Sequence, residues 1–310
     1  MNDSHRMSRI LIDSRPVDPC VGRVKWSPVK SLWLGGMYTG AVLAVAIAFS
    51  WSGFILFGIT SILTLCIGHS VGMHRRLIHY SFGCPLWLER LMVYTGTLIG
   101  LAGPFSIIAM HEMRDWAQRQ PRCHDYFASR RPLLLDWFWI LNCDIHLERA
   151  PTIQLEQRVL GDRVYWVLER TRYLQQLPWA LAFYAIGGWS WVLWGSCMRV
   201  SVCMTGHWFV GYVAHRWGQR SWHIDGAGVQ GYNVRFCGLL TMGECWHNNH
   251  HAYPDAAQMG LTPTQFDPGW WLIQGLEILG LAWDVVRPED LPVRPERQAL
   301  LPDAGQLQIL

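Results

Sequence analysis

Two long apolar stretches in the first quarter of the sequence restrict the fold of this chain more than any other feature. They cover roughly 31–50 and 53–73, and each approaches the ~20 residues that an α-helix needs to cross a bilayer. Only Trp51 and Ser52 separate them, so we expect a tight helical hairpin. The sequence therefore predicts an integral membrane protein.

A second pair of apolar stretches occurs at about 178–195 and 200–217, with Arg199 at the turn between them. The stretch 86–110 is interrupted by charged residues, glycines and a proline, and we interpret it as an amphipathic or re-entrant segment beneath the membrane surface. An apolar helix near 269–285 is also expected to lie on the membrane. The predicted fold class is an all-α membrane protein with four transmembrane helices in two hairpins.

The remaining segments are polar and are predicted to be cytosolic. They comprise an N-terminal segment 1–30, a helical cap formed by 74–177 and 218–285, and a C-terminal tail 286–310, so that the membrane domain as a whole spans 31–285. Basic residues precede the first span and follow the second, and the positive-inside rule then places both ends of the hairpin in the cytoplasm. We expect cytoplasmic N- and C-termini and a bacterial inner membrane.

Composition excludes several other classes of protein. Hydrophobic residues make up 51% of the chain and charged residues only 16%, whereas soluble domains are about a quarter charged. A net charge of +3 is too small to indicate a nucleic-acid partner. The nine cysteines form no CxxC pair, which argues against a disulfide framework or a zinc ribbon.

Histidines gather at four places where apolar stretches meet polar ones: His74 and His79; His111; His207 and His215; and His247, His250 and His251. On a helix the last three are at positions i, i+3 and i+4, so their imidazoles project from one face. Three neutral imidazoles there make a site for a borderline metal such as iron or zinc, and the alternative is a solvated polar turn. If both hairpins have cytosolic outer ends, these groups meet at one membrane face. About seven imidazoles exceed what a single zinc needs, so two metals are expected.

The order of these histidines resembles that of the membrane fatty acid desaturase superfamily, whose pattern is HxxxxH, HxxHH and HxxHH with a further histidine at the end of the fourth span. His74 and His79 match the first box, His247, His250 and His251 match the third, and His215 matches the additional ligand. The resemblance runs from about residue 30 to 285. It implies four transmembrane helices, a cytosolic di-iron cap and a kinked hydrophobic tunnel for an acyl chain.

The second box departs from the family pattern. It reads His111-Glu112-Met113-Arg114-Asp115, so Arg114 and Asp115 occupy the two later histidine positions. Arg114 is permanently protonated and cannot ligate a metal. Asp115 shares a helix face with His111 and is a candidate iron ligand, or else it pairs with Arg114, Arg119 or an imidazole. Asp115 also replaces the second histidine of a zinc protease HExxH motif, which excludes that interpretation.

Three further residues are assigned supporting roles. His207 lies two helical turns before His215, where it is a weaker candidate ligand, a tunnel residue or a buried structural histidine. Glu244 and Asn248 are expected to orient imidazoles by contacting the ring nitrogen that does not face the metal. Gly211 stands where the family often has an asparagine, and His69 would point away from His74 on an ideal helix.

By resemblance, the chain is an oxygen-dependent desaturase of fatty acyl chains with two Fe ions as cofactor and O2 as co-substrate. The implied metal ligands, catalytic through bound iron, are His74, His79, His111, His215, His247, His250 and His251. Electrons must come from an external ferredoxin or cytochrome, because the sequence has no flavin or dinucleotide motif. The substrate is expected to be an acyl-CoA. The second choice is a lipid-linked acyl chain among the membrane lipids. A hydroxylase of alkyl chains or sterols, and an inactive relative that binds metal or haem, are the alternatives.

Overall fold

The computed structural model describes residues 9–11 and 16–300, so parts of the predicted N-terminal segment and C-terminal tail lie outside it. The described chain is mostly helical. Its helices are α1 (Pro28–Ala46), α2 (Trp51–Ile62), a π-helix (Leu63–Ile78), α3 (Leu86–Thr97), α4 (Pro104–Arg119), α5 (Asp125–Ala128), α6 (Leu133–Asn142), α7 (Gln157–Leu160), α8 (Arg163–Thr171), α9 (Gln176–Val192), a second π-helix (Leu193–Met198), α10 (Arg199–Ala214), α11 (His247–Ala252), α12 (Pro268–Ile278) and a 3₁₀ turn (Pro288–Asp290).

The structure has a first hairpin, but its turn lies at residues 47–50 instead of the predicted Trp51 and Ser52, which begin α2. Pro28 opens α1, where its fixed φ suits the first helical position. The hydroxyl of Ser50 caps α2 by accepting from the Gly53 N–H at 3.1 Å. The helix Trp51–Ile78 and the helix Pro28–Ala46 are both long and apolar enough to cross a membrane.

The second hairpin differs from its prediction in the position of the turn. The chain reverses at Gly188, whose φ of 63° breaks α9, and then continues through the second π-helix into α10 without interruption at Arg199. Glycine tolerates this backbone conformation because it has no Cβ. Arg199 is buried inside the helix and donates to the carbonyls of Gly195 and Leu98. The predicted boundaries 178–195 and 200–217 were therefore wrong.

The two hairpins pack as one bundle with their turns side by side. Ser190 donates to the carbonyl of Ala48 at 2.8 Å and contacts the hydroxyl of Ser50 at 2.6 Å. Trp194 donates to the same Ala48 carbonyl. The other ends of these helices, at Ile78 and Ala214, enter the predicted cap.

Short strands modify the predicted all-α fold. Residues 9–11 and 16–300 contain three antiparallel two-stranded pairs: β1 (Ile10–Leu11) with β4 (Thr152–Ile153), β2 (Asp18–Trp26) with β3 (Cys143–Arg149), and β5 (Trp222–Ile224) with β6 (Arg297–Ala299). The stretch 86–110 folds as α3 and the start of α4. α3 packs so closely on the first π-helix that a Cβ on Gly68 would lie 2.4 Å from the backbone nitrogen of Gly96.

Candidate metal centre

Seven histidines form two adjacent clusters at the cap end of the bundle. The ring nitrogens of His74, His79, His111 and His250 lie within 4.8 Å of one another, and so do those of His215, His247 and His251. We call these the first and the second cluster. All seven are residues that the sequence analysis selected as metal ligands.

The first π-helix positions the first cluster. Its hydrogen bonds join residues five apart, as in the 3.0 Å bond from the His79 N–H to the His74 carbonyl. His69, His74 and His79 consequently follow one face, whereas 3.6 residues per turn would separate them. His69 was expected to point away, but its ring stacks on His74 with centroids 6.2 Å apart.

The short helix α11 links the two clusters. His247 and His251 belong to the second cluster, and His250 belongs to the first. The spacing of three and four residues predicted all three imidazoles on one helix face, so their division between two clusters is a new feature of the structure. His111 comes from α4, and His215 follows the last residue of α10.

The spacing of the ring nitrogens fits metal ligation. In the first cluster the Nε2 atoms of His74, His79 and His111 are 3.2–3.4 Å apart. In the second, Nε2 of His247 is 3.1 Å from Nε2 of both His215 and His251. Nitrogens bound about 2.0–2.1 Å from one metal lie about 2.9 Å apart at a right angle and about 3.4 Å apart in a tetrahedron. The two clusters thus have the donor type and spacing for one metal each.

Carboxylates lie behind the imidazoles of the first cluster. Glu244 Oε2 is 2.6 Å from Nδ1 of His74, Asp115 Oδ2 is 3.8 Å from Nδ1 of His111, and Asp255 Oδ1 is 4.0 Å from Nδ1 of His79. A carboxylate on Nδ1 fixes the tautomer and leaves Nε2 free for a metal. In the second cluster the corresponding partner of His215 Nδ1 is the backbone carbonyl of Gly211, at 2.7 Å.

The protonation states favour metal binding. Burial and the neighbouring imidazoles hold the pKa of His247 and His250 well below the ordinary value, and burial lowers the pKa of His251 to about 4. These side chains are therefore neutral near pH 7, the form that ligates. Burial would raise the pKa of Glu244, but His74 and Arg75 lower it below its ordinary value, so this carboxylate stays ionised.

Asp115 has the contacts of its alternative predicted role, pairing with an imidazole and Arg119, whereas Asn248 has partners other than those predicted. Asp115 faces Nδ1 of His111, lies outside both clusters and is 3.9 Å from Arg119, which favours orientation of His111 over direct ligation. Asn248 was expected to orient an imidazole. Its amide instead makes four hydrogen bonds to the backbone of Ser221, Trp222 and Gly231, which is its full capacity.

His207 lies outside both clusters and contacts the ring of His69 at 4.4 Å between centroids. Sequence reasoning also missed Asp255, although it follows the third box by only four residues. It missed the fully buried Arg75, whose partner Asp267 lies 2.8 Å away and also accepts from the Met259 and Gly260 N–H groups. The HxxxxH spacing does not reveal these distant partners.

Several known desaturases resemble this chain. An sn-2 palmitoyl-lipid 9-desaturase from Nostoc is 32% identical over 82% of this chain and 90% of its own length. An acyl-CoA C20 Delta5-desaturase from Anemone leveillei is 30% identical over 85% of this chain and 83% of its own length. An sn-1 stearoyl-lipid 9-desaturase from Anabaena variabilis is 31% identical over 85% of this chain and 94% of its own length. No protein-family model matches the chain.

These similarities cover more than four fifths of the chain and of each relative. The chain belongs to the fatty acid desaturase superfamily, which confirms the resemblance inferred from its histidine boxes. It is accordingly a membrane-associated oxidoreductase that acts on fatty acyl chains, and neither the hydroxylase nor the inactive alternative is favoured.

Proposed function

We propose that this chain introduces a double bond into a fatty acyl chain at two irons, one held by each histidine cluster. The observation that carries the proposal is the pair of adjacent clusters, whose seven imidazoles converge from α4, α10, α11 and the first π-helix. A structural site needs only one metal, so two adjacent metal positions favour a catalytic role.

The reaction converts two adjacent methylene groups, one O2, two electrons and two protons into a double bond and two water molecules. Bound iron supplies the oxidising power to remove hydrogen from an unactivated carbon, which no protein side chain has. The residues of the chain hold and orient the imidazoles: Glu244 accepts from Nδ1 of His74, and the Gly211 carbonyl accepts from Nδ1 of His215. The burial of His74, His79, His215 and His250, with the other three histidines half-buried, limits the access of bulk water to the clusters.

The proposed membrane arrangement has four spans, two in each hairpin, with the cap and both termini in the cytoplasm of a bacterium. The adjacent turns at Ala48 and Ser190 would then lie on the opposite side from the histidines. Apolar side chains that face outward along the helices, including Val42, Ile55, Leu181 and Ile186, support contact with lipid. Such exposure is unfavourable in water but neutral in a bilayer.

Two partners complete the proposal. The two electrons come from a separate ferredoxin or cytochrome. The acyl chain is carried by CoA or by a membrane lipid, and the relatives named above include desaturases of both kinds.

Lipid mass spectrometry of bacterial cells with and without the chain tests the activity. We expect a new double bond in the chain-bearing cells, and its position and carrier identify the substrate. His250→Ala should abolish the product, whereas His146→Ala, a change at a surface histidine of β3, should not. Purified protein should contain close to two irons per chain without haem absorbance. A hydroxylated product, haem, or no metal would contradict the proposal.

A further inference from the structure

The two histidine clusters differ in how well they are equipped to hold a cation. The first cluster offers four imidazoles and the second offers three. Each imidazole removed from a metal site takes away a bond and leaves a position for water. By ligand number alone, the first cluster should bind the same metal more tightly.

The groups behind the imidazoles differ in the same direction. Three carboxylates, from Glu244, Asp115 and Asp255, lie within 4.0 Å of Nδ1 atoms in the first cluster. Glu244 is at hydrogen-bond distance from His74 Nδ1 and makes that imidazole a better donor, and all three carboxylates partly balance the charge of a metal. In the second cluster, Nδ1 of His215 is paired with the neutral carbonyl of Gly211.

The charges near the clusters differ as well. Arg75, beside Glu244 of the first cluster, is neutralised by Asp267 at 2.8 Å. Near the second cluster, Arg294 donates to the backbone carbonyl of His251, Arg119 and Arg114 add positive charge, and the carboxylate of Asp115 offsets part of that charge. Arg119 and Arg294 have the carboxylates of Asp115 and Glu296 as partners. Arg114 is half-buried and has no carboxylate within 4.0 Å in the part of the chain that the structure describes.

Position 114 is therefore central to this difference. It lies three residues after His111 on α4, one helical turn away and on the same side of the helix. An imidazole there would add a donor to the centre, whereas the guanidinium adds only an unpaired positive charge.

We propose that the two metal positions are unequal: the first cluster retains its metal, and the second, at His215, His247 and His251, exchanges it because of Arg114 and the missing fourth imidazole. This inference rests on the proposed function in that both clusters bind metal. It implies an order of assembly, in which the first position fills before the second and the chain is complete only when free metal is sufficient.

Chelator competition tests the inference with Co(II) alone as the probe. The full chain, purified in detergent and loaded with Co(II), is dialysed against rising chelator, and the retained metal is measured by mass spectrometry. We expect release in two steps of one equivalent each, separated by about tenfold or more in chelator concentration. His247→Ala should remove only the weak step, and His79→Ala should weaken the tight step.

Substitution of Arg114 tests the cause. Arg114→His should move the weak step toward the tight one by about tenfold, and Arg114→Gln, which removes the charge without adding a donor, should move it less. Arg149→His, at an exposed position of β3, should change nothing. One-step release of two equivalents, or loss of the tight step in His247→Ala, would overturn the inference while leaving the di-iron proposal intact. No bound metal in the unmodified chain would overturn both.

Discussion

Glu244 links the first cluster to the buried charges beneath it. One carboxylate oxygen accepts from Nδ1 of His74 and the other accepts from the hydroxyl of Ser70, each at 2.6 Å. The carboxylate thus holds His74 in the tautomer that directs Nε2 to the centre. Its removal should weaken metal binding without removing a ligand.

Glu244→Gln is expected to lower the metal affinity of the first cluster by about 10- to 100-fold, the usual effect of losing such a partner. Glu277→Gln is the matched control, since Glu277 lies on α12 and forms an ion pair with Arg287, away from the histidines. Metal retained against a chelator measures the effect. Equal retention by both variants would show that the His74–Glu244 contact does not support the site.

The metal-free chain should lose stability as pH falls. Histidine ordinarily titrates near pH 6.5, whereas burial lowers the pKa of His251 to about 4 and that of His247 and His250 well below the ordinary value. Between these values the unfolded chain binds protons that the folded chain does not, so protonation favours unfolding. The loss begins below about pH 6.5 and continues at least to about pH 4.

Thermal unfolding of the metal-free chain in detergent, followed from pH 7 to pH 4, measures this dependence. His251→Asn removes one of the three groups, and its melting temperature should fall less steeply over that window. A melting temperature independent of pH in the unmodified chain would contradict the prediction.

The sequence was sufficient to select the seven clustered histidines but not to divide them. Spacing of three and four residues places His247, His250 and His251 near one another, and only the three-dimensional approach of α4 and α10 assigns His250 to one cluster and the other two to the second. The position of Asp255 beside the first cluster was not predicted for the same reason. Its role depends on its distance from His79, which the chain order does not encode.

At the scale of elements, the first π-helix controls the geometry of the site. It packs against α3 through glycines: a Cβ on Gly68 would lie 2.4 Å from the Gly96 nitrogen, and a Cβ on Gly72 would lie 2.6 Å from Cβ of Met92. Contacts of this kind require backbone movement to relieve. The close approach of the two helices therefore depends on the missing side chains.

Gly68→Ala should force α3 away from the π-helix and destabilise the chain by about 1–3 kcal/mol, the usual cost of overpacking. Gly58→Ala, earlier on the same continuous helix, is the control because a Cβ there meets nothing within 4 Å. Melting temperatures in detergent compare the two variants. A Gly68→Ala chain as stable as Gly58→Ala would show that the helices can separate without cost.

Element boundaries show where sequence reasoning failed. Length and hydropathy predicted the first hairpin within a few residues. In the second, a charged residue in an apolar stretch was taken as the turn, but Arg199 is buried because the carbonyls of Leu98 and Gly195 accept its hydrogen bonds. The strand pairing of β2 with β3 joins segments more than a hundred residues apart, and no local pattern predicts it.

At the scale of the whole molecule, the two hairpin turns and the metal centre occupy opposite ends of one bundle. Ser190 and Trp194 both donate to the carbonyl of Ala48, so the two turns form one surface. β2, which pairs with β3 in the predicted cap, carries Cys20, and all nine cysteines lie in the described part of the chain, where Cys20 alone is exposed. The proposed topology therefore separates Cys20 from the turns by the membrane.

Labelling with a membrane-impermeant maleimide tests this topology. Cys20 of the unmodified chain should react in inside-out membrane vesicles and not in right-side-out vesicles. Ile47→Cys, placed at a turn position that is 79% exposed and combined with Cys20→Ser, should show the opposite preference. Both sites should react in detergent, which controls for access to the thiols themselves. Reaction of both thiols from the same side would contradict the four-span arrangement, because an even number of crossings with cytoplasmic termini requires the turns to face outward.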